Sequence, residues 1–262
     1  MNGLKLHPTI LQTKPHENVS EKYRFVSTLE VLNDLAEHGW QAAKQQISRT
    51  RSSDKEGYQA HLIRLRNDEF TNLLGLTDEY PEVVLRNEHA GGRSLLLMCG
   101  IFRLVCSNGL IIGNSWSSFR IPHIGYARER LDEAIAYLVG AIPHIFERVR
   151  VFKTVELKIE EQRAFAESAL VLKHGEGYVV DRDALIASRR VEDREPTLWN
   201  TFNIVQERLV NGKYRARQKT EDRYKAKKRP AITSIDSDVR LNRSLWMLAE
   251  RMAELKGVSS MR

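Results

Sequence analysis

The sequence lacks the features by which membrane-bound, secreted and disulfide-rich proteins are usually recognised. Its 262 residues include only two cysteines, Cys99 and Cys106, which cannot build a disulfide framework. The longest uninterrupted apolar stretch runs from Leu95 to Phe102, whereas a helix that crosses a bilayer needs about 20 such residues. Residues 1–8 contain no apolar core typical of a secretory signal. We therefore expect a cytoplasmic protein with no membrane partner.

Short motifs of several large enzyme classes are also missing. The sequence contains no G-x-x-x-x-G-K-S/T phosphate loop, no G-x-G-x-x-G, no H-E-x-x-H and no G-x-S-x-G. Because the phosphate loop is absent, we do not expect an ATP-driven helicase or recombinase of the usual type. The sequence predicts no catalytic residues and no cofactor.

One set of thiols and imidazoles could be considered for zinc. Cys99 and Cys106 could join His89 and His123, but zinc sites usually show ligand pairs of the C-x₂₋₄-C type. The two cysteines are seven positions apart and no second pair follows. We therefore predict no metal site and interpret the cysteines as buried thiols of an apolar strand.

Carboxylate pairs before two predicted helices could be considered for a metal-dependent nuclease. Asp181 and Asp183 lie where one helix begins, and Asp236 and Asp238 lie at the start of the last helix. Aspartate is favoured at such positions because it caps backbone N–H groups and complements the helix dipole. Capping is the preferred interpretation, and a nuclease stays an alternative because carboxylates assembled by folding cannot be seen in one sequence.

The positive charge is concentrated in one segment, residues 213–229. Nine basic residues face two acidic ones there, which accounts for the whole formal charge of +7 and leaves the remainder neutral. A concentrated cationic segment attracts polyanions and gives salt-sensitive binding. The basic residues are Lys213, Arg215, Arg217, Lys219, Arg223, Lys225, Lys227, Lys228 and Arg229.

The composition of this segment predicts a loop or arm. It contains no Leu, Ile, Val or Phe, so it lacks the residues that usually bury a core face. Tyr214 and Tyr224 lie among the cations, and aromatic rings with Lys and Arg commonly hold single-stranded nucleic acid by stacking and phosphate contacts. We predict that the nine cations bind phosphates and that both tyrosines stack on bases. A solvated loop, or a segment that binds a protein or an anionic surface, is the alternative.

Four further arginines flank the predicted sheet and are candidate phosphate ligands. Arg103 interrupts an otherwise apolar run, and a charge in such a place is normally paired or faces water. Arg86, Arg93 and Arg120 could share its face of the sheet.

Predicted strands come first along the sequence and predicted helices follow them. This order predicts an α+β fold with a central, mostly antiparallel sheet followed by a long helical C-terminal half. Gly91-Gly92 and Asn108-Gly109 predict hairpin turns. Helical spacing begins near residue 127, and Pro143 is expected to kink or restart that helix. The predicted divisions are a lead-in at 1–25, an α+β core at 26–210, the basic loop or arm at 211–235, and a C-terminal helix at 236–262 that packs on the core.

Three segments resemble a large family of phage- and plasmid-borne proteins catalogued as a domain of unknown function. They read CGIFRLVCSNGL at 99–110, LWNTFNIVQER at 198–208 and IDSDVRLNRSLW at 235–246. The resemblance covers about 23–256, and the family's basic stretch between the second and third segments is matched by 213–229. It implies a mobile-element setting without an established reaction. The hairpins followed by a long helix are also similar in architecture to single-strand annealing proteins of the Redβ/RecT class, although no motif supports that link.

These observations lead to three functional hypotheses. The first is a non-enzymatic protein that binds single-stranded DNA in recombination or strand annealing and forms a homo-oligomer. The second is an inhibitor that binds a host defence complex, with the basic arm in the partner's nucleic-acid groove. The third is the metal-dependent nuclease.

Overall fold

Strands dominate the first half of the chain and helices the second, which confirms the predicted α+β class. The computed structural model describes residues 4–74, 76, 78–104, 108–112, 118–123, 128–218 and 226–259. The chain divides into two compact units, which we call the N-terminal unit, Met1–Pro143, and the C-terminal unit, His144–Arg262. This division falls inside the core that the sequence placed at 26–210. In the part of the chain that is described, no helix is long and apolar enough to cross a membrane.

The N-terminal unit is built on an antiparallel sheet. The strands follow the order β1-β2-β3-β4-β5, and β6 pairs with β4 beside β5. Ile63, Leu85 and Leu97 form one cross-strand row and are fully buried, so this face carries the core. The strands are β1 Gln41–Ile47, β2 His61–Arg66, β3 Glu79–Asn87, β4 Leu95–Arg103, β5 Asn108–Ile111 and β6 Ser118–Ile121.

Three helices belong wholly or partly to this unit, and capping side chains explain where the first two begin. The Ser27 hydroxyl accepts the Glu30 N–H at the start of α1, Thr28–Glu37. Asn67 caps α2, Asp68–Leu73, in the same way. Helix α3, Arg128–Thr154, continues through Pro143 as one helix, so the predicted restart at this residue is wrong.

The predicted turn at Asn108-Gly109 is also wrong, because both residues lie in strand β5 opposite Arg103 and Phe102. Glycine is favoured at this point of the strand. A Cβ on Gly109 would lie 2.5 Å from Arg64 Cζ, so a side chain here would displace the Arg64 guanidinium from its hydrogen bonds to Glu82 and to the Gly109 and Leu110 carbonyls. The turn at Gly91 lies between β3 and β4, with the positive φ that glycine favours.

The C-terminal unit packs helices around aromatic side chains. Phe152, Trp199, Phe202 and Trp246 are all buried and in ring contact, so they form part of its core. Thr197 caps α6, and Gly212 ends it in the left-handed conformation. The helices are α4 Ile159–His174, α5 Arg182–Ile186, α6 Leu198–Asn211 and α7 Ile235–Leu255. Three strands complete the unit, namely β7 Tyr178–Val180, β8 Arg215–Gln218 and β9 Lys227–Lys228.

Candidate nucleic-acid interface

Part of the basic segment forms strands rather than the predicted loop or arm. Strand β8 pairs with β7 on one side and with β9 on the other, and we call these three strands the basic sheet. The strands form without Leu, Ile, Val or Phe in the segment because Tyr214 and Ala216 supply the buried positions, while Lys213 and Arg215 alternate with them as exposed residues. The Tyr214 ring and the Ala216 methyl group are therefore enough to bury one face of β8 and the residue before it.

The outer face of the basic sheet presents three cations in two adjacent rows. Arg215 lies opposite Lys228, and Arg217 lies opposite Val179. Residues paired across antiparallel strands project to the same face. The Arg215 Nε donates to the Ala226 carbonyl at 3.0 Å, which orients the guanidinium. The three strands as described contain no carboxylate.

The inner face packs aromatic and basic groups against α4. The Tyr214 hydroxyl is hydrogen-bonded to His174 Nε2, and Lys173 Nζ lies 5.0 Å from the centre of the Tyr214 ring. Arg229 stacks over Tyr178, with its Cζ 4.5 Å from the ring centre. Tyr214 is 5 % exposed. The expected stacking of Tyr214 on bases is therefore corrected, because its ring faces the interior and not solvent.

Burial and neighbouring cations shift the pKa values of the groups that pack at the inner face. Burial, together with Arg229, lowers the pKa of Lys173 to about 8. Burial and the charges of Lys173 and Arg229 lower the pKa of His174 to about 4, so His174 is neutral at pH 7. Burial raises the pKa of Tyr214 above its usual range.

Replacing Tyr214 tests whether its ring is structural. Tyr214→Leu is expected to lower the free energy of unfolding by about 2 kcal/mol, because it removes a buried ring and the bond to His174. Its affinity for single-stranded DNA should change by less than about twofold, whereas loss of a stacked ring lowers affinity about fivefold or more. Urea unfolding and fluorescence anisotropy measure the two effects, and Tyr214→Phe, which keeps the ring, is the control. A fivefold loss in folded Tyr214→Leu would restore the stacking role.

Lys213 is paired within the protein. Its Nζ lies 2.9 Å from Glu207 Oε1, and Arg190 Nη1 lies 2.7 Å from Glu207 Oε2. Burial raises the pKa of Glu207, but the hydrogen bonds from Arg190 and Lys213 outweigh it and lower the pKa to about 2. Because Glu207 is ionised at pH 7, it offsets the charge that the sequence assigned to phosphate binding at Lys213.

The remaining predicted ligands of the segment fall into two groups. Lys227 is exposed on β9, in the row of Ala216. Lys219, Arg223, Tyr224 and Lys225 lie outside the described residues.

The four sheet arginines belong to the N-terminal unit and do not share one face. Arg86, Leu96 and Arg120 occupy one cross-strand row, so Arg86 and Arg120 project to the same side. Arg103 projects to the other side, because it is seven residues from Leu96 on the same strand. Arg86 and Arg103 are buried, which removes them from contact with an external phosphate.

The other two arginines of this set differ in their surroundings. Arg93 lies 3.6 Å from Glu88, which offsets its charge. Arg120 is exposed on β6.

Among the groups considered as metal ligands, the Cys99 thiol is buried, Asp181 caps a helix and Asp183 forms an ion pair. Burial raises the pKa of Cys99 to about 12, and its Sγ donates to the Leu138 carbonyl. Asp181 accepts the N–H groups of Asp183 and Ala184, which confirms that it caps α5. Asp183 pairs with Arg163. Over the described ranges, no group of three or more His, Cys, Asp or Glu side chains could hold a metal ion, and Cys106 lies outside those ranges.

Comparison with known proteins places the chain in a family. The profile of DUF932, a domain of unknown function, matches residues 15–246. The chain belongs to the DUF932 family. It is similar to the UPF0380 proteins YafZ and YfjQ of Escherichia coli (strain K12), each 30% identical over 246 residues that cover 94% of this chain and 88% of the relative. No solved structure matches it. The expected membership in a family of unknown function is thereby confirmed.

The DUF932 match includes every described residue of the basic sheet. Sequence reasoning missed strand β7 and also Lys173, which packs against the inner face of the sheet. Strand β7 is detectable in hindsight as the run Tyr178–Val180 between Gly177 and Asp181, a pattern typical of a short strand. Lys173 has no such signal, because only folding brings the end of α4 against Tyr214.

Proposed function

We propose that this DUF932 protein binds single-stranded nucleic acid through the outer face of the basic sheet, as a non-enzymatic protein of recombination or strand annealing in a mobile element. The observation that supports the proposal is the shared face of Arg215, Arg217 and Lys228 without a carboxylate in the described strands. The predicted homo-oligomer is part of the proposal, and light scattering with and without oligonucleotide checks it.

The spacing of the three cations explains why they act together. Arg215 and Arg217 are two residues apart, or roughly 7 Å along the strand, and Lys228 lies roughly 5 Å away on the next strand. These separations are within the Debye length of about 8 Å at physiological salt, so the three fields add. Consecutive phosphates passing over this face would therefore meet a continuous positive potential.

The same face offers little that could read base identity. Val179 supplies apolar contact to an unpaired base, while Tyr178 and Tyr214 belong to the inner face. Binding should therefore be dominated by phosphate contacts, tolerant of sequence and strongly dependent on salt.

Removing the three outer-face cations tests the proposal. Arg215→Gln, Arg217→Gln and Lys228→Gln together are expected to weaken binding of a labelled oligothymidine by roughly tenfold to a hundredfold at about 50 mM salt. The slope of log affinity against log salt should become smaller by about 2, since each phosphate contact on a single strand contributes about 0.7. Fluorescence anisotropy at several salt concentrations measures both quantities, and incubation with Mg²⁺ should leave the oligonucleotide intact.

A second triple variant controls for net charge. Arg130→Gln, Arg150→Gln and Arg251→Gln remove the same charge from exposed positions on helices outside the basic sheet. This protein should keep the affinity and slope of the wild type. Equal losses in the two triple variants would show that general charge and not the basic sheet attracts the strand, and would overturn the proposal. Unchanged binding in the basic-sheet variant, with native circular dichroism, would do the same.

A further inference from the structure

A separate cavity of the C-terminal unit lies where the end of α4 meets the start of α7. Its volume is about 240 Å³, which suits a small polyatomic ligand better than a drug-sized one. Lys173 enters its wall from α4, and Arg240 and Ser237 enter from α7. Thr233 and Ser234, on the segment that leads into α7, also line it.

The polar lining has the chemistry of an anion site. Two of the lining residues are cationic, three carry hydroxyl groups, and the other three are aliphatic. No carboxylate belongs to the described lining, since Asp236 and Asp238 on the same helix do not contribute to it. Hydrogen bonds from cations to phosphate oxygens are among the strongest in proteins, and hydroxyl donors complete such sites.

The surroundings of Lys173 disfavour its protonated form unless an anion binds beside it. Its Nζ donates to the Leu209 carbonyl at 2.6 Å, which uses one of its three N–H bonds. Burial and the charge of Arg229 lower its pKa to about 8. A dianion in the cavity would stabilise the ammonium, so binding and protonation of Lys173 would be coupled.

We propose that this cavity binds a phosphate monoester, with Lys173 and Arg240 contacting its oxygens from two helices. The monoester is favoured over a diester because two cations match a group that carries about −1.5 to −2 charge at pH 7. This site does not depend on nucleic-acid binding by the basic sheet. The phosphate could belong to a free monoester or to the end of a strand, and the experiment separates these sources.

Calorimetric titration with methyl phosphate and dimethyl phosphate tests the charge requirement. Methyl phosphate should bind the wild type, and dimethyl phosphate should bind at least about tenfold more weakly. Arg240→Gln, at an exposed position, should weaken methyl phosphate by at least about tenfold. Arg243→Gln, on the same helix but outside the lining, should leave binding unchanged. Equal binding of the two esters, no binding of either, or equal losses in the two variants would overturn the proposal.

The source of the phosphate is tested in the basic-sheet triple variant. In that protein, binding of the strand by the outer face of the basic sheet cannot hide a contribution from the terminal phosphate. Tighter binding of a 5′-phosphorylated oligonucleotide than of its 5′-hydroxyl form, abolished by Arg240→Gln, supports the site with a strand end as ligand. Equal binding of the two oligonucleotides, together with binding of methyl phosphate, supports the site with a free monoester as ligand.

The pH dependence of methyl phosphate binding tests whether Lys173 contacts the phosphate. The groups that face it are Leu209, Tyr214 and Arg229, with His174 beside it on α4 and Arg240 across the cavity. Methyl phosphate affinity of the wild type should fall above about pH 8 because the free lysine loses its proton there. Lys173→Arg should keep its affinity to pH 9, since arginine stays charged. The same fall in both proteins would remove Lys173 from the site.

Discussion

Lowering the pH from 7 to 4 is expected to destabilise the N-terminal unit by roughly 6 kcal/mol, which is comparable with the whole stability of a domain. Two fully buried histidines, His61 and His89, are the cause. Thr28 Oγ1 lies 2.8 Å from His61 Nε2 and 3.2 Å from His89 Nε2, and Asn87 donates to the same hydroxyl. The shared Thr28 hydroxyl gives each imidazole a hydrogen-bond partner in the interior.

The sign of the effect follows from where the protons bind. Burial is the main cause that lowers the pKa of His61 to about 4 and that of His89 to about 3. In the unfolded chain both pKa values are about 6.5. Below pH 6.5 the unfolded state therefore takes up protons that the folded state excludes, and the stability falls until the pH reaches the folded pKa values.

Hydrogen exchange of the β2–β4 amides in urea, at pH 7, 5.5 and 4, measures the loss. His89→Phe is the matched variant, because it removes one titrating group beside Phe25 and leaves the His61–Thr28 contact in place. It should lose about half as much stability on acidification as the wild type. Identical losses in the two proteins would assign the acid sensitivity to carboxylates and not to these histidines.

Glu82→Gln is expected to lower the free energy of unfolding of the N-terminal unit by about 3 kcal/mol. The Glu82 carboxylate is fully buried and accepts hydrogen bonds from Arg64 Nη1 at 2.7 Å and Arg66 Nε at 3.0 Å. Arg66 can turn toward solvent after the substitution, but Arg64 stays buried beside the carbonyls of Gly109 and Leu110. An uncompensated guanidinium in the interior accounts for the loss.

Urea unfolding checks this value against two further variants. Glu88→Gln, which removes the partner of the half-exposed Arg93, should reduce stability by less than about 1 kcal/mol. Arg64→Met combined with Glu82→Leu should recover most of the loss, because it removes both charges. A Glu82→Gln protein within about 1 kcal/mol of the wild type would show that the carboxylate is not needed to compensate Arg64.

Local sequence signals predicted the elements whose ends are made by neighbouring residues. Asp181 caps the helix that begins at the next residue, as its position in the sequence predicts, and α7 begins at Ile235, one residue before the predicted start of the C-terminal helix. The predicted helix restart at Pro143 and the predicted turn at Asn108-Gly109 are wrong, because a residue's local preference does not by itself fix where an element ends. Helix α3 continues through the proline, and Gly109 lies inside β5, where a side chain would meet Arg64 from a distant strand.

The amount and position of positive charge are properties of the amino-acid sequence alone, because each side chain brings its charge wherever the backbone goes. Which of those charges can meet a ligand was decided by tertiary structure, since pairing and burial depend on residues far apart in the chain. Glu207 offsets Lys213, and His174, 40 positions away, holds Tyr214 on the inner face. The pleat of β8 turns Arg215 and Arg217 outward, and only the folded chain brings Lys173 and Arg240 to one cavity.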